Sequence, residues 1–583
     1  MHRIEIKMQP IKDLLGSGRY EEVLIAIETL RPEEKATPDA LETAAAATLG
    51  KGDAARAEEL LEQACTAYPN NDVLVGTLAV ARTALNKLDD GLICAERAIE
   101  LAPGKVDHKL TLGRIRLARG EIGEARTIAT EAIEAAPDTA AAHALFGATA
   151  MASGEWLLAE RALRRALALD GDSKEALRNL SLVLSQTGRS TEAAQVAEQA
   201  FLLAPSDLGH QVAFARTLAD TGDVERAATL LRRVLAVAPL MWDAQLLAAQ
   251  LAALRGQTDA GVQALTQAVR RLGNTPETLF GLATFLIFAN RPEPALKLID
   301  TLASRIPDDG ALRRCRNVAH LMLGRLDATR MLDEGEDPFK AQAILARGGV
   351  PPSELVFLAR ALPELARRHE QPITIAGSRE IADILLASGA GVRAETERSD
   401  VPALPAEALL DVVRLSGEAA TVPYLTPDAE RLARWQKAFD GLPRPLIGLA
   451  WDTYGIALSL EDAVAATDGL GTLISLETGE ARHQLGGRPA ILDGGAHVNL
   501  YADLVAAIAG VDFVLAPTGV VGATAGALGR PGLIVTGPIP DWTFASRDGM
   551  ARWYPSLAVV SPAEIGTGGE RAAALKSAIR ARL

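Results

Sequence analysis

A proline or glycine returns every 34 residues through the first three-fifths of this chain, and that interval limits what the segment can fold into. Pro69, Pro103, Pro137, Pro205, Pro239 and Pro307 share one grid, with Gly171 and Gly273 in its two gaps. A second grid runs Gly18, Gly52, Asn86, Gly120, Gly154, Gly188, Gly222, Gly256, Asn290 and Gly324. Only glycine and asparagine occupy it, the residues that tolerate the left-handed conformation in which helices end. The pattern predicts one helix-turn-helix per interval, with Gly120, Gly154, Gly188 and Gly222 in the turns inside hairpins. Ala125 and Ala132, Ala159 and Ala166, and Ala193 and Ala200 stand seven apart on one face of each second helix. Gly113 and Gly147 hold the small position of the first helices. Small residues let the helices approach, and the proline stops each pair. About ten hairpins are expected in residues 4–333, the first irregular because Pro32 stands three residues ahead of the grid.

The full length of 583 residues exceeds one core, so further domains are expected. Hydrophobic residues make up 48% but aromatics only 4%, a mix that suits close-packed helices better than a sandwich or barrel. A formal charge of -14 argues against nucleic acid or an anionic membrane as partner. Cys65, Cys94 and Cys315 match no metal or disulfide spacing and read as buried small hydrophobes. No constellation of metal ligands appears, so neither a metal nor another bound cofactor is expected. The start, MHRIEIKMQP, has no apolar core of a leader, and no uncharged apolar run approaches the roughly 18 residues of a membrane span. The expectation is a cytoplasmic protein.

The 34-residue unit resembles the tetratricopeptide repeat, with the usual tryptophan and tyrosine positions largely given to smaller residues. The resemblance implies an all-α superhelical solenoid over residues 1–333 whose first helices line a groove for another protein. The groove residues it implies are Thr77, Val80, Leu145, Ala148, Met151, Val212, Arg216, Leu246, Leu247 and Gln250. The solenoid of the nucleocytoplasmic O-linked N-acetylglucosamine transferase carries an asparagine ladder instead; here only Asn179 holds such a position.

After Met331 the repeat ends. Short apolar runs then alternate with helical patterns: Ile373–Ala376 before Arg379–Ala387, then Leu409–Arg414, Leu446–Ala450, Gly471–Leu476, Asp512–Leu515 and Leu533–Val535. Buried strands with intervening helices predict parallel sheets in an α/β region. Two Rossmann-like halves are expected, at 334–440 and 441–583, split near a helix at Pro427–Phe439. Segments in this region resemble the bacterial tetratricopeptide-linked glycosyltransferases, relatives of the O-linked N-acetylglucosamine and heptosyl transferases with a double-Rossmann GT-B architecture. They are Glu354–Leu365, Pro423–Trp435, Ile447–Trp451, Ile474–Glu477, Asp512–Leu515, Ala525–Pro531, Asp541–Trp542 and Trp553–Ser556.

The same stretches depart from the family where it binds its donor. The first loop, glycine-rich in the family, reads Gly348-Gly-Val-Pro-Pro-Ser-Glu354, and two prolines remove two backbone donors. Asp452-Thr-Tyr-Gly455 lacks the basic residue that follows in the family, and Ser475-Leu-Glu-Thr478 stands where a lysine is usual. In Pro517–Gly529, Thr518 takes the family's aspartate position and Ala523 its histidine position. A strand, glycines and a helix still offer backbone N–H groups and a positive helix end to a phosphate. Thr518, Gly519, Gly522 and Thr524 are therefore donor-site candidates, joined by Trp451, Thr453, Thr478 and Asp503, the last matching the family's donor-side aspartate. Asp452 and Glu477, at two strand ends, are candidate bases; His497 matches nothing in the family. The resemblance implies transfer of a sugar from a nucleotide donor to a protein hydroxyl. Flagellin would be the acceptor and a CMP-linked nonulosonic acid the donor, whose single phosphate suits the missing cations. The alternative is a scaffold whose transferase domain no longer turns over.

Overall fold

The computed structural model describes residues 2–187, 189–205, 207–306, 310–333, 335–346, 350–377, 379–388, 391–395, 403–416, 422–452, 457–486, 488, 490–537, 541–566 and 568–583. The chain forms two compact units, Met1–Val234 and Leu235–Leu583.

Paired helices fill the first unit, for example Val106–Ala118 with Ile122–Ala135 and Ala140–Ala152 with Trp156–Leu169. Every described residue of the glycine/asparagine grid lies in the turn that follows a first helix, with positive φ from 55° at Asn290 to 84° at Gly52. Gly188 lies outside the described residues. The turns share one hydrogen bond across six residues: Glu121 N–H reaches the Arg116 carbonyl at 2.9 Å, Glu155 reaches Ala150 at 2.9 Å, and Asp223 reaches Leu218 at 2.8 Å. That bond satisfies a carbonyl the helix end would leave open.

The seam between helices is built from the expected small residues. Ala125, Ala159, Ala193 and Ala227 are sealed from solvent. A Cβ at Gly113 would come within 2.6 Å of Leu145, and one at Gly147 within 2.7 Å of Leu163, so each glycine makes room for a leucine of the neighbouring helix. This corrects part of the expected groove. Leu145 and Val212 are buried in the stack of the first unit, and Leu247 and Asn179 are also closed off. Val80 is exposed, and Thr77, Ala148, Met151, Arg216, Leu246 and Gln250 are half-buried.

The second unit opens with the pairs Trp242–Leu254/Thr258–Arg271 and Pro276–Phe288/Pro292–Ala303. Among the described residues nine hairpins form, and the tenth unit has only its first helix, Gly310–Met322. The seam register explains the stop. Thr329 takes the place held by Ala295 one interval earlier, and exposed Glu336 the place of Leu302, which is sealed. A second helix there would drive a carboxylate into the seam. Instead the chain makes a short 3-10 turn, Leu326–Ala328, and docks on the α/β region. Buried Asp411 accepts the N–H groups of Met331 and Leu332 at 2.8 Å each, and Leu321 joins the α/β core. The helical pairs thus end near residue 333, while packing continues across it.

The α/β region contains two sheets. Strands β1 (Ala343–Ala346), β2 (Ile373–Gly377), β3 (Val392–Glu395) and β4 (Ala403–Pro405) run parallel in the order β3-β2-β1-β4. The second sheet holds β5 (Leu446–Leu449), β6 (Thr472–Ser475), β7 (Ile491–Asp493), β8 (Phe513–Pro517), β9 (Gly532–Val535), β10 (Ser546–Arg547), β11 (Met550–Ala551) and β12 (Leu557–Val560). Its parallel strands lie in the order β12-β9-β8-β5-β6-β7, with β11 and β10 added antiparallel at the β12 edge. Counted from its own first strand, the parallel part has the doubly wound order of dinucleotide-binding sheets. One expected strand is a helix: Leu409–Arg414 lies within Leu409–Ser416. Its apolar run is too short for periodicity to separate a buried helix from a buried strand. The neighbouring strand is β4, in which only Leu404 is buried.

Three of the segments that carry the family resemblance meet at one buried cation. Arg360, 2% exposed, lies 4.0, 4.6 and 5.6 Å from the ring centres of Phe357, Tyr424 and Tyr554. It donates to the Phe357 carbonyl at 3.0 Å and the Trp553 carbonyl at 3.5 Å.

The turn geometry yields an opposed pair of expectations. Gly120→Ala forces a side chain into φ +80° and lowers stability by about 1–2 kcal/mol. Gly123→Ala, three residues on within a helix and facing open space, raises it by about 0.5–1 kcal/mol. Urea unfolding of both variants checks the sign at each position.

Candidate functional site

In a doubly wound sheet the ligand crevice opens beyond the carboxyl ends of the strands where their order reverses. In the second sheet that point lies between β5 and β8. Ala450, Trp451 and Asp452 follow β5, Thr518 and Gly519 follow β8, and Leu476, Glu477 and Thr478 follow the adjacent β6. The candidates Trp451, Asp452, Glu477, Thr478, Thr518 and Gly519 therefore converge on the switch point or its flank, although they come from three separate stretches of the chain.

Glu477 is the group with the most distinctive chemistry there. Burial pushes its carboxyl up to about 7, and the Asp452 carboxylate adds to the rise, while the Trp451 N–H, donating to Oε1 at 3.0 Å, holds it back. A half-buried carboxyl near neutrality can accept or release a proton under ordinary conditions. Asp452 is placed differently. Its Oδ2 accepts the N–H groups of Ala457 and Leu458 at 2.8 Å each, and its own N–H donates to the Leu458 carbonyl at 3.0 Å. Thr453 lies outside the described residues. Of the two candidate bases, Glu477 has the environment the role needs. Asp452 acts on it through charge.

Beside Glu477 stands a pair that no sequence pattern announced. Arg482 binds Asp493, at the end of β7, through both carboxylate oxygens at 2.8 to 3.1 Å. The guanidinium holds the Asp493 carboxyl below its ordinary range. A Cβ at Gly495 would meet the Glu477 carbonyl oxygen at 1.7 Å, so the Gly494–Ala496 turn runs directly against the Glu477 backbone. Arg482 thus brings a cation to this end of the sheet, where the family resemblance had indicated a missing lysine. The contact joins residues 11 apart through a loop, a spacing without periodic meaning. His497 is exposed, its ring edge-on to Trp435 at 6.4 Å.

The donor-side candidates separate into two groups. Thr518 is half-buried, with its N–H on the Val535 carbonyl at 3.3 Å, and Thr478 is exposed. Gly519 precedes the helix Val520–Ala527 with φ +148°, a conformation side chains rarely adopt, and a Cβ there would meet nothing within 4 Å. The first N–H groups of that helix lack intrahelical partners. These residues border open space.

The rest serve the interior, and here the expectation is corrected. A Cβ at Gly522 would strike Ile534 at 2.8 Å and Phe544 at 3.2 Å, so this glycine permits helix–sheet packing. Thr524 is sealed, bonding the Val520 carbonyl at 2.7 Å and the Tyr501 hydroxyl at 2.6 Å. Asp503 caps its helix by accepting from Asn499 and Leu500 and pairs with Arg431. Trp451 is 1% exposed, with its indole N–H on the Ala481 carbonyl at 3.2 Å. Each sits correctly in sequence but points into the fold.

Comparison with known proteins assigns the helical part. The tetratricopeptide repeat family matches residues 77–140, 145–207 and 212–276. The helical part is a tetratricopeptide-repeat solenoid. No curated protein matches the chain. Among solved structures, a chain of the Cut9–Hcn1 hetero-tetramer of the APC/C is 15% identical at a TM-score of 0.42, the match spanning 51% of this chain and 58% of that one. A tetratricopeptide repeat protein from Parabacteroides merdae is 14% identical at 0.34, over 41% of this chain and 95% of its own. A thermophilic tetratricopeptide protein of Thermus thermophilus is 19% identical at 0.29, over 31% and 98%. Among the described residues no helix is long and apolar enough to cross a membrane, and no group of three or more His, Cys, Asp or Glu is placed to hold a metal ion.

The raised Glu477 carboxyl has a measurable signature. Its folded value lies above its unfolded one, so the folded state binds the proton more tightly and loses stability as pH rises from about 4.5 through 7. Glu477→Gln keeps the oxygen that Trp451 needs but cannot ionise. Its melting temperature should match the parent near pH 4.5 and exceed it by a few degrees at pH 8. Differential scanning calorimetry at both pH values checks the difference.

Proposed function

We propose that this chain is a protein O-glycosyltransferase of GT-B architecture, in which the tetratricopeptide solenoid recruits the acceptor protein and the α/β region transfers a sugar from a nucleotide donor. The observation that carries the reading is the near-neutral carboxyl of Glu477 on the strand end beside a topological switch point. In the proposed reaction an acceptor hydroxyl oxygen bonds to the anomeric carbon while the bond from that carbon to the donor phosphate breaks. The hydroxyl proton passes to Glu477. The leaving phosphate rests on the N–H groups at Gly519 and the helix start behind it, where fixed dipoles stabilise charge without reorganising. Asp452, fixed by the N–H groups of Ala457 and Leu458, keeps Glu477 basic. A single-phosphate donor, a CMP-linked nonulosonic acid, suits a turn that offers backbone rather than lysine. Flagellin, a helical secreted subunit met in the cytoplasm before export, is the acceptor to examine first. Exposed Val80 and half-buried Thr77, Met151 and Arg216 are the remaining contact residues of the first unit, and Leu246 and Gln250 those of the second.

A second reading is a protein-binding scaffold with a silent α/β region. What favours it is that Asp503, Thr524, Gly522 and Trp451 are all engaged inside the fold rather than toward a ligand.

Intact-mass analysis of flagellin co-expressed with this chain separates the two. Transfer predicts an added mass of one sugar per modified hydroxyl, lost with Glu477→Gln. Gly519→Ala and Gly519→Asp share the same backbone strain, yet only the second places a negative charge toward the phosphate, so Asp should reduce transfer at least tenfold more than Ala. Unmodified flagellin that still co-purifies with the chain would leave the scaffold.

A further inference from the structure

Away from Glu477, where the last repeat helix meets the α/β region, lies a cavity of about 320 Å3. Arg314 and Val318 of helix Gly310–Met322 form one wall, Ser353 and Glu354 a second, and Asp541 and Trp542 a third. Its volume stands at the small end of ligand pockets, roughly 300–1,000 Å3. Such a space suits one long side chain better than a nucleotide sugar.

Its charge points the same way. Glu354 and Asp541 line the cavity and Glu407 stands behind Arg314, three acids to one base among the described residues. Arg314 divides itself between Glu407 at 3.2 Å and Glu354 at 3.3 Å. The Trp542 indole N–H reaches Glu354 at only 3.4 Å. Asp541 is fixed in pose by the N–H and hydroxyl of Thr543, at 3.0 and 2.7 Å. Burial raises the Glu354 carboxyl above its ordinary range even with Arg314 alongside, as it does where one shared cation is not enough. A second observation is independent of charge. Ser353 is 5% exposed and lines the cavity, yet its hydroxyl makes no hydrogen bond among the described residues. The hydroxyl oxygen opens into the cavity, where it is left for a partner that enters.

We infer that this cavity is a subsite for an arginine side chain of the protein segment that the repeats present. A guanidinium there pairs with Glu354 and Asp541, donates to the Ser353 hydroxyl, and lies against the Trp542 ring. Arginine fits better than lysine because its planar fork serves two carboxylates and an aromatic face at once. A phosphate is disfavoured by the excess of carboxylates. The inference rests on the reading of the chain as a binder of protein segments and is independent of sugar transfer.

The test is isothermal calorimetry of the full chain with N-acetyl-L-arginine amide, beside N-acetyl-L-citrulline amide, which keeps the shape and loses the charge. Arginine amide should bind at millimolar strength and citrulline amide at least tenfold more weakly. Glu354→Gln should weaken the arginine ligand at least tenfold. Val318→Phe, which fills the cavity from the opposite wall without touching a charge, should abolish binding even if the first variant is unstable. Equal binding of the two amides, no binding of arginine amide, or full binding by Val318→Phe would each overturn the assignment. Because binding is read without any transfer, a chain that glycosylates but ignores arginine amide contradicts the subsite alone. One that binds the amide but modifies no acceptor contradicts only the catalytic reading.

Discussion

A guanidinium almost wholly removed from water holds the α/β region together. Stripping an ion of its hydration costs several kcal/mol unless the site replaces it. At Arg360, among the described residues, the replacement comes from three different places in the chain: Phe357 beside it, Tyr424 in the segment between the sheets, and Trp553–Tyr554 after β11. Desolvated cation–π contacts contribute about 2 kcal/mol or more each, which offsets part of that cost. Tyr424 is itself tied down, its hydroxyl on the Val356 carbonyl at 2.9 Å and its N–H on the Ala527 carbonyl at 3.0 Å. Phe357 is wedged edge-on between Trp542 and Trp553. The segments that resemble a glycosyltransferase family therefore coincide with the contacts that fix one sheet against the other. Part of that resemblance records architecture rather than chemistry.

The same dependence explains why the repeats end as they do. A solenoid unit needs a neighbour to cover its apolar face. For Gly310–Met322 that neighbour is the α/β core, which receives Leu321 directly and secures the following turn through Asp411. The acid-lined cavity lies at this joint, between the last repeat helix and the α/β region.

How much of this was legible in the sequence depended on whether the relevant constraint was periodic. The turn glycines and asparagines repeat because a left-handed residue is needed at each hairpin, and every described one was found there. Strands β2, β5, β6, β8 and β9 are short apolar runs in their own right and were readable. Strands β1, β3, β4, β7 and β12 were not: β4 buries one residue and β7 has Leu492 exposed. At the site, residues at strand ends were predictable because parallel sheets place their openings there. Side-chain direction was not. Gly519 and Gly522 are three apart in one glycine-rich stretch, yet one borders open space and the other touches Ile534 and Phe544. The Arg482–Asp493 pair bridges a loop, and the Ser353 cavity joins segments nearly two hundred residues apart, so neither leaves a local pattern.

In the proposed function the switch point of the second sheet receives the phosphate of a nucleotide sugar. Hydrogen–deuterium exchange of the full chain with and without CMP tests it most directly, because the backbone N–H groups after β8 are the proposed contact. Exchange should slow at Thr518–Val521 and at Leu476–Thr478, with the repeats unchanged. Unaltered exchange at both segments under saturating nucleotide, or protection confined to the repeats, would contradict it.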